Sequence, residues 1–420
     1  MERLPSSPAF WRSPLRGPWF TSVLGVVLLA GITVLFVTGL LSYAAYNPGL
    51  SPVNDKTPDK GVLGFYLFPW PTDPHWLYRL TQGVHVTLGI ALVPILLAKL
   101  WSVLPRLFQL PPVRSWAHAL ERISLLMLVG GVLFEFVTGV LNVQLDYVFP
   151  GSFYPLHFYG AWVFFAAFTV HVVLRAPTAV RNLRRMRAGE EEAVPPPVSS
   201  EEPSLLSPNP AEPTVSRRGA LGLVGGGSLL LLATTVGQNI DGPLRRTAVL
   251  APRGGAEPGS GPNGFQINKT ALSRGIRAAE TSEEAWRLVV TGPSGTVRLS
   301  RAELLELAQH SAALPIACVE GWSTSDQWWR GVRLDDLAAL VGYEAGTAPD
   351  VLVESLQRRG AFRRAALRAN QVRDPRSLLA LGVNGEPLSP DHGYPARIIV
   401  PAAPGVLNTK WVARMTFGEL

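Results

Sequence analysis

The sequence predicts a multidomain protein in which an all-α transmembrane helical bundle is followed by an α+β domain. Residues 19–175 are rich in Leu, Val, Phe and Trp and carry few charges, whereas residues 241–420 have the charge density of a water-soluble protein. Between them, residues 188–216 are acidic and Pro-rich, with too few apolar side chains to fold. These observations divide the chain into a membrane part, a linker and a soluble part.

The membrane part contains five apolar segments. A bilayer core of about 30 Å needs about 20 apolar residues in a helix. The segments that meet or approach this length are 19–41, 80–98, 123–145, 155–174 and 219–240. The last of them is Gly-rich and weaker than the others. The predicted domains are 1–187 for a four-helix membrane domain, 188–218 for a disordered cytoplasmic linker, 219–240 for a fifth transmembrane helix, 241–264 for an outer linker and 265–420 for the C-terminal domain.

The basic residues predict the orientation of the helices. Lys and Arg cluster at 3–16, 99–122 and 175–187, whereas the connection 146–154 has none. Because basic residues remain on the cytoplasmic side, the N-terminus and the linker are expected inside and the C-terminal domain outside. We therefore expect a multi-pass protein of the cell membrane whose C-terminal domain is extracytoplasmic. The net charge of +7 is explained by membrane lipid rather than by a nucleic acid.

Two arginines, Arg217 and Arg218, directly precede the fifth apolar segment. One interpretation is an ordinary anchor on the cytoplasmic side of the helix. The other is an internal twin-arginine-type signal, which exports domains that have already folded around a cofactor. The sequence leaves both interpretations open.

Histidines within apolar segments are costly, so they are functional candidates. His157 and His171 lie 14 residues apart on the fourth segment, which gives about 21 Å of rise and nearly the same helix face. His85 matches the expected depth of His157, and His118 matches that of His171. Imidazole is a normal axial ligand of haem iron, so we predict one or two haems b, from His85 with His157 and from His118 with His171. The alternative is a bundle that serves as a plain anchor, with histidines that cap helices or bond across it.

An acidic residue, Glu135, also lies in this region, on the third segment. It is either a proton-transferring group for quinone chemistry or a side chain solvated near the outer end of its helix, and the second interpretation is favoured.

The C-terminal domain alternates short apolar runs with Gly and Pro turns. Strands are predicted at 287–290, 296–299, 314–319, 351–356 and 397–400, and helices at 301–309 and 334–341. This mixture indicates an α+β domain with a mixed or antiparallel sheet.

The only cysteine of the chain, Cys318, ends the strand predicted at 314–319 and begins a Gly-containing loop. A single cysteine forms no internal disulfide, and the structural alternative is a small buried apolar residue. Trp322, Trp328 and Trp329 follow closely and are interpreted as the wall of a cofactor site. A thiolate is a strong ligand for soft metals.

Several blocks resemble the sulfite-oxidase fold family of molybdopterin enzymes, especially its bacterial branch. They are ACVEGWS at 317–323, WWRGVRLDDLAALVG at 328–342, VNGEPL at 383–388, DHGYPAR at 391–397 and the closing 401–411. The resemblance implies a molybdenum–molybdopterin cofactor, with the sulfur of Cys318 bonded to molybdenum. It further implies that the pterin, its phosphate and its tail are bound by His392, Arg397, Asn408, Thr409 and Lys410, with Asn268 and Lys269 on an N-terminal pterin-contacting strand.

Two departures from that family bear on the substrate. Animal and plant sulfite oxidases have an arginine shortly after the metal cysteine, where this chain has Trp322 and Ser323. Their active-site tyrosine corresponds here to Phe362, which is followed by Arg363. The predicted catalytic residues are therefore Cys318, Phe362 and Arg363, and sulfite is disfavoured as the substrate. Bacterial methionine-sulfoxide-reducing relatives share the Cys-Val-Glu-x-Trp-Ser loop.

The N-terminal part resembles the four-helix cytochrome b subunits that serve periplasmic dehydrogenases, although its first segment lacks the histidine often found there. Together the resemblances imply a molybdenum oxidoreductase that transfers an oxygen atom on a small extracytoplasmic substrate. Its electrons would pass through haem b to or from the quinone pool or another redox protein. The alternative is a non-catalytic electron carrier or sensor with a degenerate molybdopterin domain.

Overall fold

The computed structural model describes residues 4–46, 67–108, 116–143, 153–187, 207, 209–240, 242–250 and 261–418. The linker predicted at 188–218 lies outside the described residues up to position 206, and so does the part of the outer linker at 251–260. The chain divides into two compact units. The first unit comprises Met1–Phe36, Leu88–Asn142 and Leu156–Leu232, and the second comprises Val37–Thr87, Val143–Pro155 and Ala233–Leu420.

Five long helices correspond to the five predicted apolar segments. They are α1 Pro18–Tyr46, α2 Leu77–Leu107, α3 Trp116–Asn142, α4 Tyr154–Arg187 and α5 Arg217–Ala233. Each forms all or most of a segment that is long and apolar enough to cross a bilayer. Helices α1 to α4 exceed the predicted lengths because polar residues at their ends still complete backbone hydrogen bonds in a helix. Helix α5 is shorter than predicted, since it ends at Ala233 rather than at position 240. Large apolar side chains such as Val163 and Val173 are exposed on them, which is compatible with insertion into a membrane.

The core of the first unit is a small apolar cluster formed by Leu28, Ile32, Leu92, Leu96, Val132, Phe164 and Phe168. Two glycines allow the helices to approach there. A Cβ atom on Gly31 would lie 2.5 Å from Leu92, and one on Gly131 would lie 3.3 Å from Phe164. Close helix packing of this kind depends on residues without side chains.

The second unit contains the predicted mixed domain. Its strands are β1 Leu288–Gly292, β2 Gly295–Leu299, β3 His310–Leu314, β4 Gln327–Arg333, β5 Val351–Ser355, β6 Arg364–Leu367, β7 Leu378–Val383, β8 Glu386–Pro387, β9 Arg397–Ile399 and β10 Val412–Phe417. Its short helices are α6 Ala278–Thr281, α7 Arg301–Glu306, α8 Leu334–Ala339 and α9 Ala369–Arg373.

These strands form two sheets. One has the order β2-β1-β10-β5-β6, in which only β1 and β10 run parallel. The other has the order β3-β4-β7-β8, with β9 paired to β7, and all of its pairs are antiparallel. The prediction of mixed or antiparallel sheets is confirmed. The register brings β9, which carries Arg397, beside β7 at the centre of the second sheet.

The helix predicted at 301–309 is shorter, and its ends have local causes. The hydroxyl of Ser300 accepts a hydrogen bond from the backbone N–H of Glu303, whose carboxylate accepts in return from the N–H of Ser300. This capping box begins α7. The side-chain amide of Gln309 then donates to the carbonyls of Leu304 and Leu307, so it satisfies the helix end and α7 stops at Glu306.

The strand predicted at 314–319 was wrong. Strand β3 ends at Leu314, and the following residues form a loop in which Ala317 makes only isolated bridges, to Ser323 and to Pro404. The missed strand β4 explains the error, because it supplies the antiparallel partner of β3. Its sequence contains two arginines and a glycine and lacks the apolar alternation on which the prediction depended.

The interpretation of the three tryptophans as one wall was also wrong. Trp328 and Trp329 are consecutive residues of β4 and therefore point to opposite faces. Trp328 is 58% exposed, whereas Trp329 is fully buried and its indole N–H donates to the carbonyl of Leu314 at 2.9 Å. Trp322 is buried elsewhere, in the loop after Cys318.

The two neighbouring tryptophans give a matched test of this core. We expect Trp329→Ala to destabilise the protein by about 3–5 kcal/mol, because it leaves a cavity and an unpaired Leu314 carbonyl. Trp328→Ala should change the stability far less. Thermal unfolding of the two purified variants checks the difference, and equal shifts of Tm would contradict the placement of β4.

Candidate functional site

Cys318 lies in a tight loop, 315–326, that we call the cysteine loop. The N–H of Cys318 donates to the carbonyl of Trp322 at 2.8 Å, and the N–H of Gly321 donates to the carbonyl of Cys318 at 3.0 Å. Gly321 has a φ of +90°, a left-handed conformation that glycine adopts without strain. The thiol is 5% exposed. The loop therefore holds the sulfur in one fixed, nearly buried position.

The segment that follows β9 supports the base of the cysteine loop. The N–H of Gly405 donates to the carbonyl of Ala317 at 2.6 Å. A Cβ atom on Gly405 would lie 3.3 Å from that oxygen, so a side chain would push the two segments apart. The hydroxyl of Thr324 accepts from the N–H of Ile316 at 2.9 Å and closes the loop from within.

The first turns of α2 contact the other side of the cysteine loop. The side-chain amide of Gln82 donates to the carbonyl of Val319 at 2.6 Å. A Cβ atom on Gly321 would lie 2.5 Å from the side chain of Val86, so the loop and the helix approach as closely as glycine permits. Sequence reasoning missed this contact, although a polar glutamine in an apolar segment was a signal for it.

A second clamp comes from residues 236–247, which follow α5. The amide of Asn239 donates to the carbonyl of Gly321 at 2.6 Å, and its own backbone carbonyl accepts from the guanidinium of Arg79 on α2. Arg245 donates to the carbonyl of Ser323 at 2.7 Å. Arg79 thus fastens this clamp to α2.

One of the predicted cofactor residues lies near the sulfur, and two others meet each other. The amide nitrogen of Asn268 lies 3.7 Å from the sulfur of Cys318, within the range of a weak hydrogen bond to sulfur. The ammonium of Lys410 donates to the carbonyl of Lys269 at 3.0 Å and to that of Asp391 at 2.7 Å. The N-terminal segment 266–269 and the C-terminal segment 408–411 are therefore joined.

His392 is held in a buried slot. Its ring stacks on Phe265 with a centroid distance of 3.8 Å. Its Nε2 lies 3.3 Å from the carbonyl of Gln266, and its Nδ1 lies 3.3 Å from the side-chain oxygen of Asn263. Sequence reasoning missed Asn263, although the Gly-Pro-Asn-Gly pattern around it is typical of a turn. In the structure Asn263 has a left-handed φ of 56° in this turn.

Arg397 is almost fully buried, with 2% of its surface exposed. Its guanidinium donates to the carbonyls of His392 and Asn408, at 3.1 and 3.2 Å, and lies over the ring of Trp329. The side-chain oxygen of Asn408 accepts from the N–H of Val400 at 2.9 Å. The structure thus brings His392, Arg397, Asn408 and Lys410 together, as the sequence predicted.

The site is strongly electropositive. Burial lowers the pKa of Arg397 to about 9. Burial, together with the charges of Arg397 and Lys410, lowers the pKa of His392 to about 3. Burial, followed by the charge of Arg397, also holds the pKa of Lys410 well below its ordinary value. The protein alone does not neutralise these cations, so an anionic group is favoured here.

Unpaired polar atoms indicate where such a group would bind. Among the residues that the structure describes, four buried side-chain atoms of the predicted cofactor residues have no hydrogen-bond partner: Asn268 Oδ1, Arg397 Nε, Asn408 Nδ2 and Thr409 Oγ1. Buried polar groups are rarely left in this state. Three of them are able to donate, so together with the cations they fit an anionic, polar cofactor such as a pterin phosphate.

Comparison with known families agrees with this geometry. Residues 276–419 match the family model for the oxidoreductase molybdopterin binding domain. The C-terminal domain therefore matches molybdopterin-binding oxidoreductase domains of the sulfite-oxidase type. The predictions of a molybdopterin cofactor and of an oxidoreductase enzyme are confirmed for this domain.

Individual relatives match over the same region. Mitochondrial sulfite oxidase of Rattus norvegicus is 30% identical over 158 residues, which are 32% of this chain and 29% of that protein. An uncharacterised oxidoreductase, YuiH of Bacillus subtilis, is 32% identical over 135 residues, 31% of this chain and 65% of that protein. Nitrate reductase of Hordeum vulgare is 40% identical over 94 residues, 21% of this chain and 10% of that protein. The chain thus spans less than a third of the length of the rat sulfite oxidase.

The predicted catalytic residues Phe362 and Arg363 lie between β5 and β6. Phe362 has a left-handed φ of 60°, and its ring is 6.2 Å from that of Tyr46. The backbone carbonyl of Arg363 accepts from the N–H of Ser355 at 2.9 Å. Their part in catalysis stays a prediction.

The predicted haem histidines lie on the expected helices. His85 is on α2, and its Nδ1 is 3.0 Å from the hydroxyl of Thr38 on α1. His157 and His171 are on α4. His118 is in the first turn of α3, and its side chain lies outside the described residues.

The interpretation of Glu135 as solvated was wrong. Its side chain is buried, and Glu135 Oε2 lies 3.2 Å from the Nδ1 of His157.

Because Arg397 and Lys410 are predicted to bind the cofactor through their positive charges, removing either charge should weaken cofactor binding. We expect Arg397→Met and Lys410→Met each to lower the molybdenum and pterin content of the purified protein by tenfold or more, because a charge-assisted hydrogen bond contributes about 1.5–3 kcal/mol. Arg414→Met is the matched control, since Arg414 is an exposed residue of β10 paired only loosely with Glu354. Equal cofactor content in all three variants would contradict the assignment.

His392 gives a pH test on protein produced in a host that cannot make the pterin. The unfolded chain binds a proton at histidine below about pH 6.5, whereas the folded site excludes it down to about pH 3. The folded state should therefore lose stability as the pH falls through this window, at about 1.4 kcal/mol per pKa unit. Denaturant unfolding at pH 7 and pH 4 should show a smaller loss for His392→Gln than for the wild type. The same loss in both would exclude His392 as the titrating group.

Proposed function

We propose that this chain is a membrane-bound molybdenum oxidoreductase. It transfers an oxygen atom to or from a small substrate on the extracytoplasmic side, and it exchanges electrons with the quinone pool, or with another redox protein, through haem b. One observation carries the electron-transfer part of the proposal: the cysteine loop is hydrogen-bonded directly to α2, the helix on which His85 lies. The proposed path of the electrons therefore leads from the cysteine loop through Gln82 to His85 on α2.

The cofactor supplies two-electron oxygen-atom exchange when it is bound, and the protein holds and tunes it. In this proposal the sulfur of Cys318 is the protein's ligand to molybdenum. Asn268, whose amide points at that sulfur, stabilises its anionic form. Arg397 and Lys410 hold the phosphate, and the unpaired side chains of Asn408 and Thr409 bind the polar tail.

The electron path proceeds through the chain's own bonds. The carbonyl of Val319, the residue after Cys318, is bonded to Gln82 at 2.6 Å. Gln82 and His85 are three residues apart on α2, which is about 4.5 Å along a helix. His85 and His157 would hold one haem, and His118 and His171 would hold a second, which would supply one-electron transfer.

The membrane location is supported by the five helices that are long and apolar enough to span a bilayer. The extracytoplasmic position of the molybdopterin domain is supported by the basic residues near the other helix ends. Arg217 and Arg218 begin α5, where a twin-arginine-type signal would place them.

The substrate is a small oxygen-atom donor or acceptor. Trp322 and Ser323 take the place of the arginine of sulfite oxidases, and both are buried and hydrogen-bonded, to Glu320 and to Asn239. This supports a substrate other than sulfite. Assays with sulfite, nitrate and methionine sulfoxide against a redox dye separate the classes named among its relatives.

The alternative is a non-catalytic carrier or sensor. Phe362, at the position of the family tyrosine, has no hydroxyl to donate a proton, and its ring packs beside Tyr46. A protein that contains molybdenum and haem but turns over none of these substrates would favour this alternative.

The central test measures molybdenum, iron and pterin in the purified protein and records its visible spectrum before and after reduction. We expect molybdenum and a b-type band that sharpens on reduction. Cys318→Ser should abolish turnover and lower the molybdenum content. A Cys318→Ser protein with unchanged molybdenum and turnover would remove the basis of the proposal, and a wild type without iron would remove its haem.

The contact of Gln82 predicts a kinetic effect. Gln82→Met should slow the reduction of haem by substrate by up to roughly tenfold, because it removes a hydrogen bond of about 1 kcal/mol that holds the loop against α2. Thr87→Val is the control on the same helix, since its buried hydroxyl has no partner among the described residues. Stopped-flow absorbance measures both, and identical rates in the two variants would contradict this path.

A further inference from the structure

The first four helices contain a short repeat. Phe-Val-Thr-Gly occurs at 36–39 on α1 and again at 136–139 on α3, one hundred residues later. In each helix a further glycine, Gly31 or Gly131, lies seven residues before the threonine. Each of these helices is followed by one, α2 or α4, that carries a histidine proposed to bind haem.

In the hairpin of α1 and α2 the repeat surrounds His85. The hydroxyl of Thr38 lies 3.0 Å from the Nδ1 of His85. A Cβ atom on Gly39 would lie 3.3 Å from the Cε1 of the same ring. Gly31 faces Leu92, which is seven residues beyond His85.

In the hairpin of α3 and α4 the same contacts surround His157. The hydroxyl of Thr138 lies 3.1 Å from the Nδ1 of His157. A Cβ atom on Gly139 would lie 3.2 Å from the Cε1 of that ring. Gly131 faces Phe164, again seven residues beyond the histidine. The two hairpins therefore share residue types, spacing and antiparallel register.

We infer that the two hairpins are copies of one histidine-holding unit, in which Thr38 and Thr138 are positioning residues for equivalent metal ligands, His85 and His157. Each threonine accepts the proton of Nδ1, so that Nε2 presents its lone pair to iron. This inference rests on the haem of the proposed function.

The hydrogen bonds of Thr138 support this tautomer. Its oxygen lies 2.7 Å from the carbonyl of Phe134, one turn earlier on the same helix. A hydroxyl has one proton, and a helical threonine usually donates it to that carbonyl. The remaining contact, with Nδ1, then requires N–H to donate to the threonine oxygen. A neutral imidazole protonated at Nδ1 has its lone pair on Nε2, which is how outer partners orient metal-bound histidines.

The glycines have a steric role beside the histidines. Ordinary contacts between carbon atoms are about 3.5–4.0 Å, so a side chain at 39 or 139 would press on the ring at Cε1, between its two nitrogens. Glycine leaves the ring plane undisturbed. The contact of Nδ1 with the threonine hydroxyl then helps to fix the rotation of the imidazole.

The repeat does not extend to the second proposed haem. The residue 14 positions after His157 is His171, whereas the residue 14 positions after His85 is Lys99. Lys99 donates to the carbonyl of Thr21 at 2.6 Å. The hairpins also differ at Glu135, whose carboxylate lies 3.2 Å from His157 Nδ1 and whose counterpart is Leu35. His157 therefore has a second acceptor for its Nδ1 proton.

The test compares threonines that differ only in their partners. Thr38→Val removes the acceptor of His85, and the double variant Thr138→Val with Glu135→Gln removes the hydroxyl acceptor of His157 and the charge of the second. Thr33→Val and Thr169→Val are the matched controls, because these exposed hydroxyls donate to carbonyls of their own helices, those of Leu29 and Phe165. Thr38→Ser and Thr138→Ser keep the hydroxyl.

The readouts are haem per molybdenum in the purified protein, the rate of haem transfer to apomyoglobin and the midpoint potential. Loss of an outer partner typically weakens metal binding by about 10–100-fold, so we expect faster haem transfer and a shifted potential in both valine variants. The serine variants and the controls should match the wild type. The molybdenum content reports folding independently of haem.

The outcomes separate the two proposals. If the wild type contains haem but Thr38→Val and the double variant behave like the controls, the inference about the threonines is overturned and the proposed function stands. If only one of them responds, the equivalence of the two hairpins is overturned. If the wild type contains no haem, both are overturned.

Discussion

The main constraint on the C-terminal domain is buried positive charge that no negatively charged side chain beside it, among the described residues, neutralises. Arg397, Lys410 and His392 lie together among buried atoms. Burial lowers the pKa of all three, and the charge of Arg397 lowers the pKa of His392 and of Lys410 further. No packing of apolar residues would produce this arrangement, since each cation costs free energy that only an anion offsets. In the same place Asn268, Asn408 and Thr409 have buried polar atoms without a hydrogen-bond partner among the described residues. A bound polar group would supply these hydrogen bonds as well as the missing negative charge.

The cysteine loop is fixed from several directions by distant segments of the second unit. Gly405 supports the loop from below, Gln82 bonds it to α2, and Asn239 and Arg245 clamp it from the segment after α5. The loop has little regular structure of its own, so its shape depends on these partners. Because the partners lie far apart in sequence, the geometry around Cys318 exists only once the second unit has folded.

The apolar helices and the chemical identity of the site followed from the sequence, and so did strands β1, β2, β5 and β9 and helices α7 and α8. Long apolar segments form helices wherever their backbone bonds must be satisfied internally, and the molybdopterin motifs contain their residues in short blocks around Cys318, His392 and Arg397. Strands β4 and β7 were missed because long-range pairing, rather than local alternation, decides a strand in the middle of a sheet. For the same reason Trp328 and Trp329, adjacent in sequence, differ completely in burial.

The sequence by itself determined which residues carry charge, sulfur and imidazole, because residue type and short spacing are local properties. Tertiary structure alone decided which of them meet. It joined Asn268 to Cys318 across 50 residues and Gln82 to Val319 across 237, and it buried Glu135 beside His157. Such contacts form when apolar packing brings distant segments together, and no local pattern encodes them.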